Sequence, residues 1–307
     1  MLGIAIVVIL LIVSLFTGEY DVFGGEFGAE FFQITRIPRT IALILAGAAM
    51  AMSGLVMQLI TQNRFVEPTT TGTTEWAGLG LLLTMVVAPQ STIVQRMVVA
   101  VVFSFVGTMV FFLFLRKVSL RSSLVVPIIG IMLGAVVSAL TMFVALYTNL
   151  LQSLSVWFQG SFTAVYKGQY EVLWIVLAVV VAVFVVADRL TVAGLGKQFA
   201  TNVGVNYNRI VLVGTALIAV AAGVVTVVVG YLPFVGLIVP NVVSLFRGDD
   251  VRSNLPWVCV VGVGLITVCD LIGRTIISPF EVPVSVILGI VGAVVFVVLI
   301  VRGVKNA

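Results

Sequence analysis

Residues 230–250 read GYLPFVGLIVPNVVSLFRGDD, and the fold turns on how this stretch can sit in its surroundings. It is apolar enough to enter a membrane, yet Pro233, Gly236 and Pro240 interrupt it, and Arg247, Asp249 and Asp250 close it. A proline inside a helix has no amide hydrogen to donate and leaves a carbonyl without its partner. Hydrocarbon offers no water, so freed backbone groups must meet other protein groups or line a wet path. A broken span of this kind belongs to transport machinery rather than to a plain anchor.

The rest of the chain agrees with a membrane setting. Of 307 residues, 61% are hydrophobic and 9% charged, against about 25% charged in an average soluble domain. The class is an all-α polytopic membrane protein, a single transmembrane domain over residues 1–307. A span takes about 20 apolar residues. The apolar runs resolve into ten spans, at 2–16, 40–60, 70–88, 93–115, 124–148, 171–188, 208–229, 234–247, 255–274 and 283–301. The first run has no basic stretch before it and an acidic loop after it, so it reads as a short helix rather than a signal peptide.

Charge sets the orientation. With the N-terminus inside, the inner segments hold 11 of the 16 basic residues, and the outer side keeps Arg36, Arg39, Arg96, Lys167 and Arg274. This is the positive-inside asymmetry, and it makes both termini cytoplasmic. The net charge of +4 follows from that bias and does not point to nucleic acid. The chain has no histidine, which removes bis-histidine haem, most zinc catalysis and histidine proton relays. Cys259 and Cys269 lie in one apolar run at a spacing that fits no metal motif, and read as small packing residues. No residue presents itself as catalytic or as a metal ligand.

Uphill transport needs coupled ions or ATP. Ion carriers place ionisable side chains inside their helices, and here only Glu75 and Asp270 qualify. The nearest approach to a P-loop, Gly194-Leu195-Gly196-Lys197-Gln198, has Thr191 where a glycine is required and Gln198 where Ser or Thr is required. A nucleotide, if one drives transport, is therefore bound by another polypeptide. Residues 190–209, LTVAGLGKQFATNVGVNYNR, are too polar to span and lie on the basic inner side. Two short helices joined at Gly194–Gly196 suit this segment, because glycine breaks helices. It reads either as a solvated loop or as a docking element.

Several side chains stand out. Arg36, Arg39 and Arg274 lie outside against the charge trend, as membrane-edge anchors or as forks for carboxylates. Glu75 is costly in lipid and needs a helix end, a basic partner or a wet path. Trp76 reads as an interfacial anchor. Gly130 and Gly134 form a GxxxG pattern that serves close packing or widens a path.

Four blocks, in order along the chain, resemble the FecCD family, the membrane permeases of ABC importers for iron–siderophores, haem and cobalamin. The first is Arg36-Ile37-Pro38-Arg39-Thr40. The second is Ser53-Gly54-Leu55-Val56-Met57-Gln58 with Thr61-Gln62-Asn63-Arg64-Phe65-Val66-Glu67-Pro68 after it. The third runs from Leu195 to Gly204. The fourth is Phe234 to Asn241, followed by Cys269-Asp270-Leu271-Ile272-Gly273-Arg274. The chain departs from the family pattern at Gln62, Arg64, Phe65 and Val66, at Val203 for leucine and at Asn241 for histidine. Glu75-Trp76 stands where Ser- and Gly-rich sequence is usual. This combination resembles siderophore permeases of the petrobactin-type subgroup.

The resemblance implies a type II ABC importer permease fold in the bacterial cytoplasmic membrane, and no enzyme. The implied cargo is a ferric siderophore of catecholate or mixed catecholate–carboxylate type. Implied partners are a second permease chain, two ATP-binding subunits that hold the ATP and Mg, and an extracytoplasmic siderophore-binding protein. Arg36, Arg39 and Arg274 would receive acidic residues of that binding protein. The 190–207 segment would couple to the ATPase through Leu195, Gly196, Lys197, Ala200, Val203 and Gly204. Glu75, Trp76, Gly130, Gly134 and Asn241 would line or pack the pathway. Two alternatives stay open: a haem or cobalamin permease, and an ion-coupled carrier resting on Glu75 and Asp270.

Overall fold

The computed structural model describes residues 2–18, 28–117 and 125–305. Glu19, Asp21 and Glu26 of the first outer loop and Arg121 of an inner one lie outside the described residues. Ten helices follow the ten expected spans: α1 Leu2–Phe16, α2 Ile37–Thr61, α3 Thr73–Val87, α4 Ile93–Leu115, α5 Val125–Tyr147, α6 Trp174–Gly194, α7 Tyr207–Val228, α8 Val235–Arg247, α9 Val251–Thr275 and α10 Val284–Lys305. Six of the apolar stretches are long enough to cross a membrane; α1, α3, α8 and α10 are the shorter ones. No strand occurs among the described residues.

The short helices have local causes. The crossing that contains α8 is non-helical over residues 229–234, with Gly230 at φ +92° and Phe234 at φ +64°. Pro233 cannot join a helical ladder there, so the helix begins part-way through the apolar run. Likewise α3 begins only at Thr73, after a loop over residues 62–72 that is buried from Val66 onward.

Helix α2 is the core around which the others are arranged. Its alanines, methionines and glycines are buried along nearly the whole length. In lipid, apolar contact alone does not drive helices together, and close backbone approach takes over. Gly47 faces the Gly262 carbonyl and Val263 of α9, and Gly262 in turn faces Ala51. Gly54 meets Gly236 of α8, where an added Cβ would lie 2.0 Å from the Gly236 oxygen. Gly223 of α7 gives the same close crossing against Val101 of α4. Helices α5, α6 and α10 carry outward apolar side chains such as Met132, Phe143, Val185, Ile290 and Val294.

These crossings predict an asymmetry. Gly54→Val must displace the α8 backbone, an overpacking cost of about 1–3 kcal/mol or more. Gly289→Val meets open space. Thermal unfolding of detergent-solubilised protein should show a clear loss for the first and little change for the second.

Candidate functional site

The broken span carries its own repair. Pro240 cannot donate to the Gly236 carbonyl one turn earlier, and Gln58 Nε2 of α2 donates to that oxygen instead at 3.0 Å. Asn241 Nδ2 donates to Leu237 O at 2.7 Å and to Arg64 O of the 62–72 loop at 2.8 Å. At the other end, Glu67 Oε1 accepts the Phe234 amide at 2.8 Å and the Thr69 hydroxyl. Glu67 is fully buried, at 0% exposure. Its Oε2 lies against the first turn of α8, beside Gly236, with no hydrogen-bond partner of ordinary geometry. A carboxylate at a helix N-terminus suits the free amides and the dipole there.

The 62–72 loop satisfies itself with hydroxyls. Thr70 and Thr71 donate to the Glu67 carbonyl, Thr71 also to Pro68 O, and Thr70 Oγ1 accepts the Glu67 amide at 2.9 Å. Thr71, Thr73 and Thr108 form a hydroxyl chain that ties the loop to α4. The GxxxG of α5 receives this loop rather than another helix. A Cβ on Gly130 would stand 2.1 Å from Thr70 O, and one on Gly134 would stand 3.3 Å from Gly72 Cα. Of the two readings of that motif, close packing is the one seen.

Glu75 opens on a cavity of about 240 Å³ between α3, α5 and the short helix Leu151–Phe158. Thr74 Oγ1 donates to its Oε2 at 3.0 Å. Among the described residues no lysine or arginine pairs with it. Trp76, read from the sequence as an interfacial anchor, packs against α4. Its ring fills the notch left by Gly107 of α4, beside Phe103, because a helix without a side chain at that point leaves ring-sized room.

At the outer end Arg39 and Arg274 converge on Asp270, which is 0% exposed. Arg39 Nη2 reaches Asp270 Oδ1 at 2.7 Å and Glu281 Oε2 at 2.9 Å. Arg274 Nε reaches Asp270 Oδ2 at 2.9 Å, and its Nη1 donates to the carbonyls of Ser14 and Thr17 at 3.0 Å each. Arg36 also donates to Thr17 O. The carboxylates expected from a docking partner are thus supplied to Arg39 and Arg274 by this chain. The cluster binds the outer ends of α1, α2 and α9 to the loop before α10. Burial raises the Glu281 pKa, but the Arg39 fork and the Thr163 hydroxyl outweigh it, and the carboxyl ends below its ordinary value.

At the inner end α6 runs on to Gly194, and a separate helix covers Lys197–Asn202. The first of the two expected short helices is therefore the end of α6. Gly196 turns the chain between them at φ +106°, a conformation that favours glycine. Ala200 is buried, while Leu195, Phe199 and Val203 are 60%, 47% and 53% exposed at a spacing of four. Lys197 and Gly204 are exposed beside them. Gln62 Nε2 donates to Gly194 O at 3.0 Å, which joins this segment to the 62–72 loop.

Glu67 and Gln58 stood in quoted sequence blocks without a role. Their signal was readable: a freed carbonyl and free amides at a broken span demand a donor and an acceptor. Sequence alone does not say which residues supply them.

A bundle of apolar helices around a half-helix, with polar groups held inside and a polar hairpin at one end, defines a membrane transport protein. The chain belongs to the FecCD transport family, whose description matches residues 4–302. It is a permease subunit of the cytoplasmic membrane and not an enzyme; nucleotide hydrolysis in such systems belongs to a separate subunit. The chain is 64% identical over 301 residues to the petrobactin import system permease protein FatD of Bacillus anthracis, covering 98% of this chain and 90% of that one. It is 41% identical to the ferric-anguibactin transport system permease protein FatD of Vibrio anguillarum, over 88% of this chain and 86% of that one. A solved metal-chelate type ABC transporter in an inward-facing conformation superposes with a TM-score of 0.83 at 26% identity, over 98% of both chains.

The outer cluster yields a second prediction. Asp270→Ala leaves two buried guanidinium groups without their shared carboxylate, at a cost of about 3–5 kcal/mol. The unfolding midpoint should fall sharply. Arg252→Ala removes an exposed ion pair to Asp188, worth about 0–1 kcal/mol, and should leave the midpoint nearly unchanged.

Proposed function

We propose that this chain is the permease of an ABC importer that moves a ferric siderophore, of the petrobactin type, into the cytoplasm. The observation that carries the mechanism is the continuity of the 62–72 loop. Through Gln62 it touches the coupling segment, through Glu67 it caps α8, and through Thr70 it lies on α5. A push on the 190–207 segment therefore reaches the membrane interior along hydrogen-bonded protein. The family relatives support the cargo: a petrobactin import permease at 64% identity and ferric-anguibactin permease at 41%, against 28% for a vitamin B12 import permease. Of the two acids expected for an ion-coupled carrier, Asp270 is held by two arginines.

In this reading the 1–307 domain pairs with a second permease chain, and two ATP-binding subunits supply ATP and Mg chemistry. Leu195, Phe199 and Val203 form the apolar stripe that seats on the ATPase, with Gly196 setting its angle and Ala200 holding it to the body. An extracytoplasmic binding protein docks at the outer end. There Arg39 and Arg274 fix the shape of the docking face, with Arg36 near them, and Glu281 also lines a cavity of about 740 Å³.

Uptake of radioiron from ferric petrobactin, ferric anguibactin and haem, and of radiocobalt from cobalamin, in cells with and without this chain, tests the cargo. Loss of petrobactin uptake alone is expected; loss of haem or cobalamin uptake instead overturns it. Phe199→Asp with Val203→Asp should weaken ATPase association by about 2 kcal/mol, roughly thirtyfold. Co-purification of the ATPase reads this directly, and the unfolding midpoint should stay put.

A further inference from the structure

The cavity beneath Glu75 has a chemical bias. Its polar lining comes from Glu75, Ser138, Thr141 and Ser155, with Met142 and Phe158 among the apolar walls. The Thr141 hydroxyl already donates to Val137 O, and the Ser155 hydroxyl to Leu151 O, both at 2.8 Å. Their oxygens therefore face the cavity as acceptors. Glu75 is an acceptor as well, and its Thr74 donor reaches only Oε2. No guanidinium or ammonium of the described residues answers its charge.

A site built on one carboxylate without a basic partner, where the Thr141 and Ser155 hydroxyl protons are already committed and the Ser138 hydroxyl can serve either way, takes a cation rich in N–H donors. It disfavours carboxylates and catecholates, which bring like charge and no donors. We propose that Glu75, with the Thr141 and Ser155 oxygens, forms a subsite for a protonated amine of the transported chelate. The cargo of this permease then carries an ammonium group beside its iron-binding arms. This deepens the siderophore reading and rests on it for the identity of the cargo.

Two measurements test it. The first compares uptake of a ferric siderophore bearing a free amine with uptake of its N-acetylated form, in cells expressing the wild type or E75Q. The wild type should prefer the amine form by roughly tenfold, the worth of a charge-assisted hydrogen bond. E75Q should remove that preference, read as the ratio of the two uptake rates within each strain. An equal fall for both forms, or an unchanged preference, overturns the subsite. The second uses purified permease in lipid nanodiscs with propylammonium, against tetramethylammonium, which has no N–H donor. Propylammonium should raise the unfolding midpoint of the wild type and not of E75Q; equal effects of the two cations overturn the subsite. Should neither siderophore be imported while propylammonium still acts through Glu75, the cargo reading fails and the subsite stands.

Discussion

A helix cannot simply stop inside hydrocarbon. Breaking the eighth crossing at Pro233 and Pro240 leaves a carbonyl and several amides that water cannot reach, each costing several kcal/mol if unmet. Gln58, Asn241 and Glu67 meet that demand, and the rest of the arrangement follows from where they must stand. Gln58 requires α2 to lie against α8, which the Gly54–Gly236 contact allows. Glu67 and the Arg64 carbonyl require the 62–72 loop to enter the bundle. That loop needs its own hydroxyls and the glycine face of α5 to be tolerated there.

The same constraint makes the interior responsive. A continuous helix would shield its backbone, whereas this break is held by side chains and a loop. The loop ends at Gln62, which grips the Gly194 carbonyl at the foot of the exposed hairpin. The outer end is clamped differently, by Asp270 between two arginines. One end is thus fixed by buried charge, and the other is open to a partner.

Much of this was legible in the sequence. Ten apolar runs, the basic bias of the inner loops and the prolines at 233 and 240 set the class, and all ten helices fall where those runs lie. The inner hairpin was readable from its polarity and glycines. What stayed hidden were pairings between residues far apart in the chain: Arg39 with Asp270, Gln58 with Gly236 and Glu67 with Phe234. Periodicity reports which face of a helix is buried, never which neighbour faces it. Trp76 shows the same limit. An aromatic near a helix start matches a membrane belt as well as it matches a notch at Gly107, and only the fold distinguishes them.

The most direct test of the account is hydrogen exchange across α8 in Glu67→Leu, measured by mass spectrometry on the protein in nanodiscs. The account predicts faster exchange at the amides of Phe234 to Leu237, with α9 protection unchanged. Unchanged protection at those amides would contradict it, because the break would then be held by something other than Glu67.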